Sequence, residues 1–188
     1  MRKIIYSILS LAIVSGCAKR GNPTGGPIDS IPPVLVNANP KLNSTNFDSE
    51  EIRLTFDEFI ILDKVQDQLI ISPPIEKSAY EIKPLTGATK KVFLKFIDTL
   101  DINTTYTINF GNSIKDNNEN NPLTFFSYTF STGETIDSLY VKGNISDAYD
   151  VVTDEYVSIH LYRIDSTLND SIIFNKRPTY ISNSLDST

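Results

Sequence analysis

Apolar side chains recur at every second position in short stretches of this chain, and this spacing constrains its fold more than any other feature. Three such stretches have apolar or aromatic residues at 52, 54 and 56, at 92, 94 and 96, and at 106, 108 and 110. Residues two apart in a strand share a face, so each stretch can bury one face of a sheet. No 3.6-residue pattern competes between residues 33 and 133. The pattern predicts an antiparallel β-sandwich.

Turn-forming residues divide this region into seven predicted strands. They are 34–37, 51–57, 68–72, 79–83, 91–96, 105–110 and 123–131. Leu100 and Tyr106 have the spacing of a tyrosine corner, in which a tyrosine hydroxyl ties down the turn before a sandwich strand. The alternative is that Tyr106 is simply one more core aromatic, and the sequence leaves both interpretations open.

Residues 1–17 predict a secretory signal peptide that ends in a lipid attachment site. Arg2 and Lys3 precede an apolar run, residues 4–14, which is too short to span a bilayer. Residues 14–17 read Val-Ser-Gly-Cys, which resembles the bacterial lipobox, and Cys17 is the only cysteine. The resemblance implies that Cys17 becomes the first mature residue and carries acyl chains such as palmitate. An ordinary signal peptide with an incidental cysteine is the alternative.

Residues 18–33 are rich in glycine and proline and predict an extended tether between the lipid and the first domain. Residue 18 is Ala, so the resemblance to inner-membrane retention signals, which have Asp there, fails. We therefore expect an outer-membrane lipoprotein attached through its N-terminal lipid. Whether it faces the periplasm or the cell surface stays open.

Charge and residue content argue against two functional classes. The net charge of −6 does not suit nucleic acid, whose phosphates require a basic surface. His160 is the only histidine, and alternation places it on a polar strand face with Ser158 and Tyr162. With no partner base or nucleophile for it, we expect no catalytic residues, no cofactor and no enzymatic activity.

The middle of the chain resembles a known family. IRLTFDEFI at 52–60, TYTINFGNSIKDNNENNP at 105–122 and FSYTFSTG at 126–133 are similar to the SbsA-type bacterial immunoglobulin-like domain. Residues 23–33 are similar to the N-terminal part of Bacteroidetes lipoproteins that contain such a domain. The resemblance implies an Ig-like β-sandwich at 34–133, a cell-envelope location and no transferable catalytic residues.

After Gly133 the alternation begins again. Residues 139–147 and 157–162 resemble the first two strands of a carboxypeptidase-regulatory-like, transthyretin-like β-sandwich. Residues 134–188 are fewer than the roughly 80 that such a sandwich normally uses. We therefore expect a partial second β domain at 134–188 and regard the sequence as part of a longer protein.

Two acidic segments contain side chains of the kind that bind cations. Asp116, Asn118 and Asn120 place oxygen atoms at alternate positions, as a calcium loop does. Ser127 stands where that loop has its bidentate Glu, so a polar turn is the favoured interpretation and no metal is predicted. For the second segment, strand capping is favoured over cation binding. This segment contains Asp57, Glu58, Asp63 and Asp67.

A tripeptide of Asp, then Ser or Thr, then an aliphatic residue or Thr occurs six times, where composition predicts about one. It resembles the O-glycosylation acceptor of Bacteroidetes envelope proteins, although Asp-Ser and Asp-Thr also suit turns. The resemblance implies the following candidate sites, the first two being favoured and the last least favoured: Ser30, Ser138, Ser166, Ser171 and Thr99.

These features favour a non-enzymatic envelope lipoprotein whose Ig-like module is structural, adhesive or a scaffold. One alternative is a carbohydrate- or peptide-binding module of an envelope uptake assembly, although the chain has no Trp, the residue that sugar platforms favour. Another is the N-terminal part of a longer enzyme. A protein or glycan partner in the envelope is compatible with each, and the sequence does not indicate an oligomeric state.

The lipobox interpretation predicts that Cys17→Ser releases the protein from the membrane. Only a thiol can form the thioether to lipid, and acyl chains contribute about 0.8 kcal/mol per buried CH₂ to membrane binding. Fractionation of a bacterial host that expresses each form should find wild type in the membrane and the variant in the soluble envelope fraction. A variant that stays in the membrane like the wild type would contradict the prediction.

Overall fold

Two antiparallel sheets form the first part of the chain. The computed structural model describes residues 26–146, 157–164, 166 and 171–184. The elements in chain order are β1 (Leu35–Asn39), β2 (Glu51–Leu62), α1 (Val65–Gln68), β3 (Ile70–Ser72), a 3₁₀ turn (Lys77–Ala79), β4 (Tyr80–Lys83), β5 (Thr89–Phe96), β6 (Thr105–Asn109), β7 (Ile114–Asp116), β8 (Ser127–Ser131), β9 (Ser158–Leu161), α2 (Ile172–Asn175) and β10 (Tyr180–Asn183).

Strand order defines the sandwich. The larger sheet has the order β1-β2-β5-β4, and β7 pairs with the far part of β2. The smaller sheet has the order β3-β6-β8, and β9 pairs with β10 in a separate two-stranded sheet. All of these strand pairs are antiparallel. The predicted all-β, Ig-like sandwich is confirmed.

The inner faces of the two sheets contain the side chains that the alternating pattern predicts to be buried. Ile52, Leu54 and Phe56 are each at most 2% exposed, and the inward residues of β5 and β6 are buried as well. The Phe130 ring lies near the middle of this core, with ring centroids 4.1 Å from Phe47 and 5.5 Å from Tyr106. The sheets are therefore held together by apolar and aromatic packing.

Several predicted strand limits were wrong. β2 continues to Leu62 instead of ending at residue 57, because it exchanges β5 for β7 as its partner around Ile60. The short β7 was missed, and residues 123–126 lie outside β8. These differences arise from pairing between distant segments, which local alternation does not encode.

The region after the sandwich agrees less well with the predicted strands. Residues 139–146 contain no strand, and Leu139 and Val141 are 97% and 89% exposed. The predicted strand at 157–162 corresponds to β9, which pairs with β10. Among the described residues, no helix is long and apolar enough to cross a membrane.

Tyr106 forms the tyrosine corner that its spacing allowed. Its side chain is 1% exposed, and its hydroxyl accepts a hydrogen bond of 3.0 Å from the backbone N–H of Asp101. A second buried tyrosine, Tyr128, donates its hydroxyl to the Pro40 carbonyl at 2.8 Å. Both hydroxyls connect the core to a chain segment outside the strands, so they fix where those segments run.

We expect Tyr106→Phe to lower the free energy of unfolding by about 1 kcal/mol, since the ring still fills the core while the Asp101 N–H loses its acceptor. Urea denaturation followed by fluorescence would measure the change. Tyr80→Phe is the matched control, because no hydrogen bond of the Tyr80 hydroxyl is found in the described part of the chain. Equal stability of the Tyr106→Phe variant and the wild type would contradict this role.

Candidate functional site

One end of the sandwich receives the N-terminal segment, and we call it the tether end. It comprises residues 28–34, Asp57 and Glu58 in β2, and the loop 116–121. The backbone N–H of Val34 donates to Asp57 Oδ1 at 2.9 Å, and the Asp57 N–H donates to the Val34 carbonyl at 3.1 Å. These reciprocal bonds attach the segment to the outside of β2, just before β1 begins.

A second contact holds the same segment further upstream. The side-chain amide of Asn121 donates to the Asp29 carbonyl at 2.9 Å, across 92 positions of sequence. The Asp29 carboxylate also accepts the Ile31 N–H at 2.9 Å, and Pro33 is buried. Residues 29–34 therefore lie against the domain, although composition alone predicted a free tether.

Asp116 organises the loop at this end. One carboxylate oxygen accepts backbone N–H bonds from Asn118, Glu119 and Asn120 at 2.7, 2.7 and 3.2 Å, and the other accepts one from Asn121 at 2.8 Å. The residue is 2% exposed. Burial acts to raise the pKa of Asp116, but the four N–H bonds outweigh it and hold the pKa below its usual value.

The calcium-loop alternative does not match this geometry. Asn118 and Asn120 direct backbone N–H groups at Asp116, so donors surround the carboxylate where a cation would require oxygen atoms. In the described ranges there is no group of three or more His, Cys, Asp or Glu residues that could hold a metal ion.

The other acidic segment is divided between separate roles. Asp63 pairs with Lys115 at 2.7 Å, and the hydrogen bond from Lys115 is the main cause of the lowered Asp63 pKa. Asp57 binds Val34, whereas Asp67 lies exposed on α1. These carboxylates do not surround a common point.

Negative charge is concentrated at the tether end all the same. Burial is the largest cause that raises the pKa of Glu58, and four neighbouring carboxylates raise it further. In order of effect, they are Asp116, Asp57, Asp29 and Glu119. Each of the four therefore lies within electrostatic reach of Glu58. Lys90 offsets part of this charge, because its ammonium donates to the Asp57 carbonyl at 2.7 Å.

The chain leaves the sandwich at the opposite end. Gly133 follows β8 and accepts a 2.7 Å hydrogen bond from the Asn46 N–H, while Phe47 packs on Phe96 at the start of β2. Ile60 of β2 pairs with Asp116, and Glu51 begins the strand nine residues earlier. At about 3.3 Å per residue, the two ends are roughly 30 Å apart.

The remaining predicted residues are scattered. Cys17 lies outside the described residues. His160 is exposed on β9, with its ring centroid 6.3 Å from that of Tyr162. The glycosylation candidates are all exposed: Ser30, Thr99, Ser138, Ser166 and Ser171. They remain predictions, and the structure brings no two of them into one site.

Sequence reasoning missed the two contacts that attach the tether. Asp57 was considered only as a strand cap or cation ligand, and Asn121 only as part of a polar turn. No local signal links either residue to positions 29–34, because the contacts join segments 23 and 92 positions apart.

We expect Asp116→Asn to lower the melting temperature at neutral pH, because the new amide would direct a donor at the Asn121 N–H. The pH dependence should change as well. The Asp116 pKa is lower in the folded protein than in the unfolded chain, where it is about 4, so the ionised carboxylate stabilises the fold above that pH. This stability is lost as the pH falls through the pKa of the folded protein. The variant should therefore lose less stability than wild type between about pH 5 and pH 2.

Thermal unfolding followed by circular dichroism across this pH range would measure both effects. Glu119→Gln is the control, since it removes an acid from the same loop and keeps the Glu119 N–H bond to Asp116. Parallel stability curves for wild type and Asp116→Asn would show that the carboxylate does not act in this way.

Comparison with known proteins agrees with the architecture. Residues 29–132 match a family described as bacterial Ig-like domain, and no curated protein matches the chain. The match begins at Asp29, the residue at which the N-terminal segment first contacts the sandwich. The chain therefore belongs to the bacterial Ig-like domain family.

Proposed function

We propose that this chain is a non-enzymatic cell-envelope lipoprotein in which the Ig-like domain is a structural spacer. Lipid on Cys17 would attach it to the outer membrane, and the domain would hold its exit at Gly133 away from the bilayer. The observation that carries this proposal is the position of the two connections. The chain enters the sandwich at the tether end and leaves from the opposite end, roughly 30 Å away.

The contacts of the tether support a defined separation. Between Cys17 and Asp29 there are twelve residue steps, which can span at most about 40 Å. From Asp29 onwards the chain is attached to the domain by hydrogen bonds to Asp57 and Asn121. Only the first part of the predicted tether is therefore available as a linker, and the sandwich itself adds the remaining distance.

Family membership supports a structural rather than catalytic role, because bacterial Ig-like domains are generally non-catalytic. Asp116 has its carboxylate filled by backbone N–H groups, and the exposed His160 has Tyr162 as its ring neighbour. The Asp116 carboxylate therefore has a structural part in the loop.

Glycans would fit the same role. Ser30 and Ser138 lie on opposite connections of the sandwich, and both are exposed. Ser30 sits in a turn closed by the Ile31 N–H on the Asp29 carboxylate. A sugar at either position would shield a connecting segment from proteases and solvate it without contacting the core.

The spacer proposal predicts an upright domain on a membrane. We would couple Cys17 of residues 17–188 to a maleimide lipid in phosphatidylcholine vesicles, and attach a dye through an azide-bearing amino acid at position 118 or 48. Energy transfer to a lipid-surface acceptor should place position 48 about 30 Å farther from the bilayer than position 118.

Positions 118 and 48 are suitable because both are exposed and lie at opposite ends of the sandwich. The same labels on unanchored protein mixed with the vesicles give the background. Equal distances for the two labels would mean that the domain lies flat, and the spacer proposal would then fail.

A further inference from the structure

The tether end combines two surface properties that act in opposite directions near a lipid bilayer. Ile28 and Ile31 are 84% and 67% exposed, and both belong to the segment that leads from the membrane anchor to β1. The free energy falls when exposed aliphatic side chains leave water and enter the headgroup region. The five carboxylates at the same end are repelled by anionic headgroups.

These carboxylates act as a surface charge rather than as a cation-binding site. Asp116 uses both carboxylate oxygens to accept four backbone N–H groups, which leaves it little capacity for another ligand, and Asp57 Oδ1 accepts the Val34 N–H. Asp29 and Glu119 are exposed and Glu58 is half-buried. The Lys90 ammonium, bonded to the Asp57 carbonyl, offsets part of this charge, and five acids against this one lysine leave the described residues of the end net negative.

Attachment at Asp29 orients this surface. Asn121 holds the Asp29 carbonyl at the tether end, so the shortest connection to a lipid on Cys17 points this end towards the lipid. A random-coil chain of twelve residue steps, the number between Cys17 and Asp29, has a root-mean-square extension of roughly 20 Å, or about two Debye lengths at physiological salt. The surface charge of the leaflet therefore acts on the tether end when that end comes within about one Debye length of the lipid, which is the inner part of this range.

We infer that the tether end is a membrane-facing surface that fits an uncharged phospholipid surface, and that its distance from the bilayer depends on the charge of the lipid. On zwitterionic lipid, Ile28 and Ile31 enter the headgroups and bring the domain close. On anionic lipid, the carboxylates hold the end away. The inference rests on the proposed attachment through Cys17.

The experiment uses residues 17–188 coupled through Cys17 to a maleimide lipid, with a dye at position 118. Vesicles of phosphatidylcholine are compared with vesicles of equal parts phosphatidylcholine and phosphatidylglycerol. We expect the dye to lie farther from the anionic bilayer by about one Debye length, roughly 10 Å, at moderate salt. At about 1 M salt, where the Debye length is about 3 Å, the difference should disappear.

Two variants with equal charge changes separate a local effect from net charge. Asp29→Asn/Glu58→Gln/Glu119→Gln removes three charges from the tether end and keeps Asp57 and Asp116 in place, so it should abolish the difference. The control removes three exposed or half-exposed acids near the opposite end, and it should leave the difference intact: Asp48→Asn/Glu50→Gln/Glu134→Gln.

The outcomes distinguish this inference from the proposed function. Equal dye distances on both lipids, or an equal effect of the two triple variants, would overturn the inference. Because the lipid is coupled chemically, these results do not depend on whether cells acylate Cys17. Failure of the native protein to carry lipid would refute the proposed attachment and would leave the physical measurement unchanged.

Discussion

Packing between the inner faces of the two sheets is the interaction on which the rest of this domain depends. The single cysteine, Cys17, leaves no partner for an intramolecular disulfide, so burial of apolar surface must offset the entropy of ordering the chain. Phe130 is central to this packing, because its ring lies near aromatic rings from β5, from β6, from its own strand β8 and from the segment before β2. These rings belong to Phe47, Phe96, Tyr106 and Tyr128.

Apolar packing has little directional preference, and the polar tips of buried aromatics add direction to it. Tyr106 lies in the core and accepts the Asp101 N–H, which fixes the turn before β6. Tyr128 lies in the core and donates to the Pro40 carbonyl, which fixes the chain after β1. Each buried hydroxyl thus has a hydrogen-bond partner, and the same bond fixes the position of a segment that connects two strands.

Carboxylates perform the corresponding task at the tether end. Asp116 accepts four backbone N–H groups and closes the loop, and Asp57 accepts the Val34 N–H and attaches the entering chain. The same carboxylates that hold this end together also make its surface negative. The stability of the tether end is therefore linked to its electrostatic effect on a nearby membrane.

The sequence by itself determined the buried faces, since alternation at 52–56, 92–96 and 106–110 forces one side of each strand into the core. It also determined the all-β class and allowed the tyrosine corner at Tyr106. Only the tertiary structure decided that β2 changes partner near Ile60, that Asp57 and Asn121 attach residues 29–34, and that Asp116 is surrounded by donors. The reason is range: periodicity records which side of a strand meets apolar surroundings, whereas these contacts depend on how segments distant in sequence are brought together when the sheets pack.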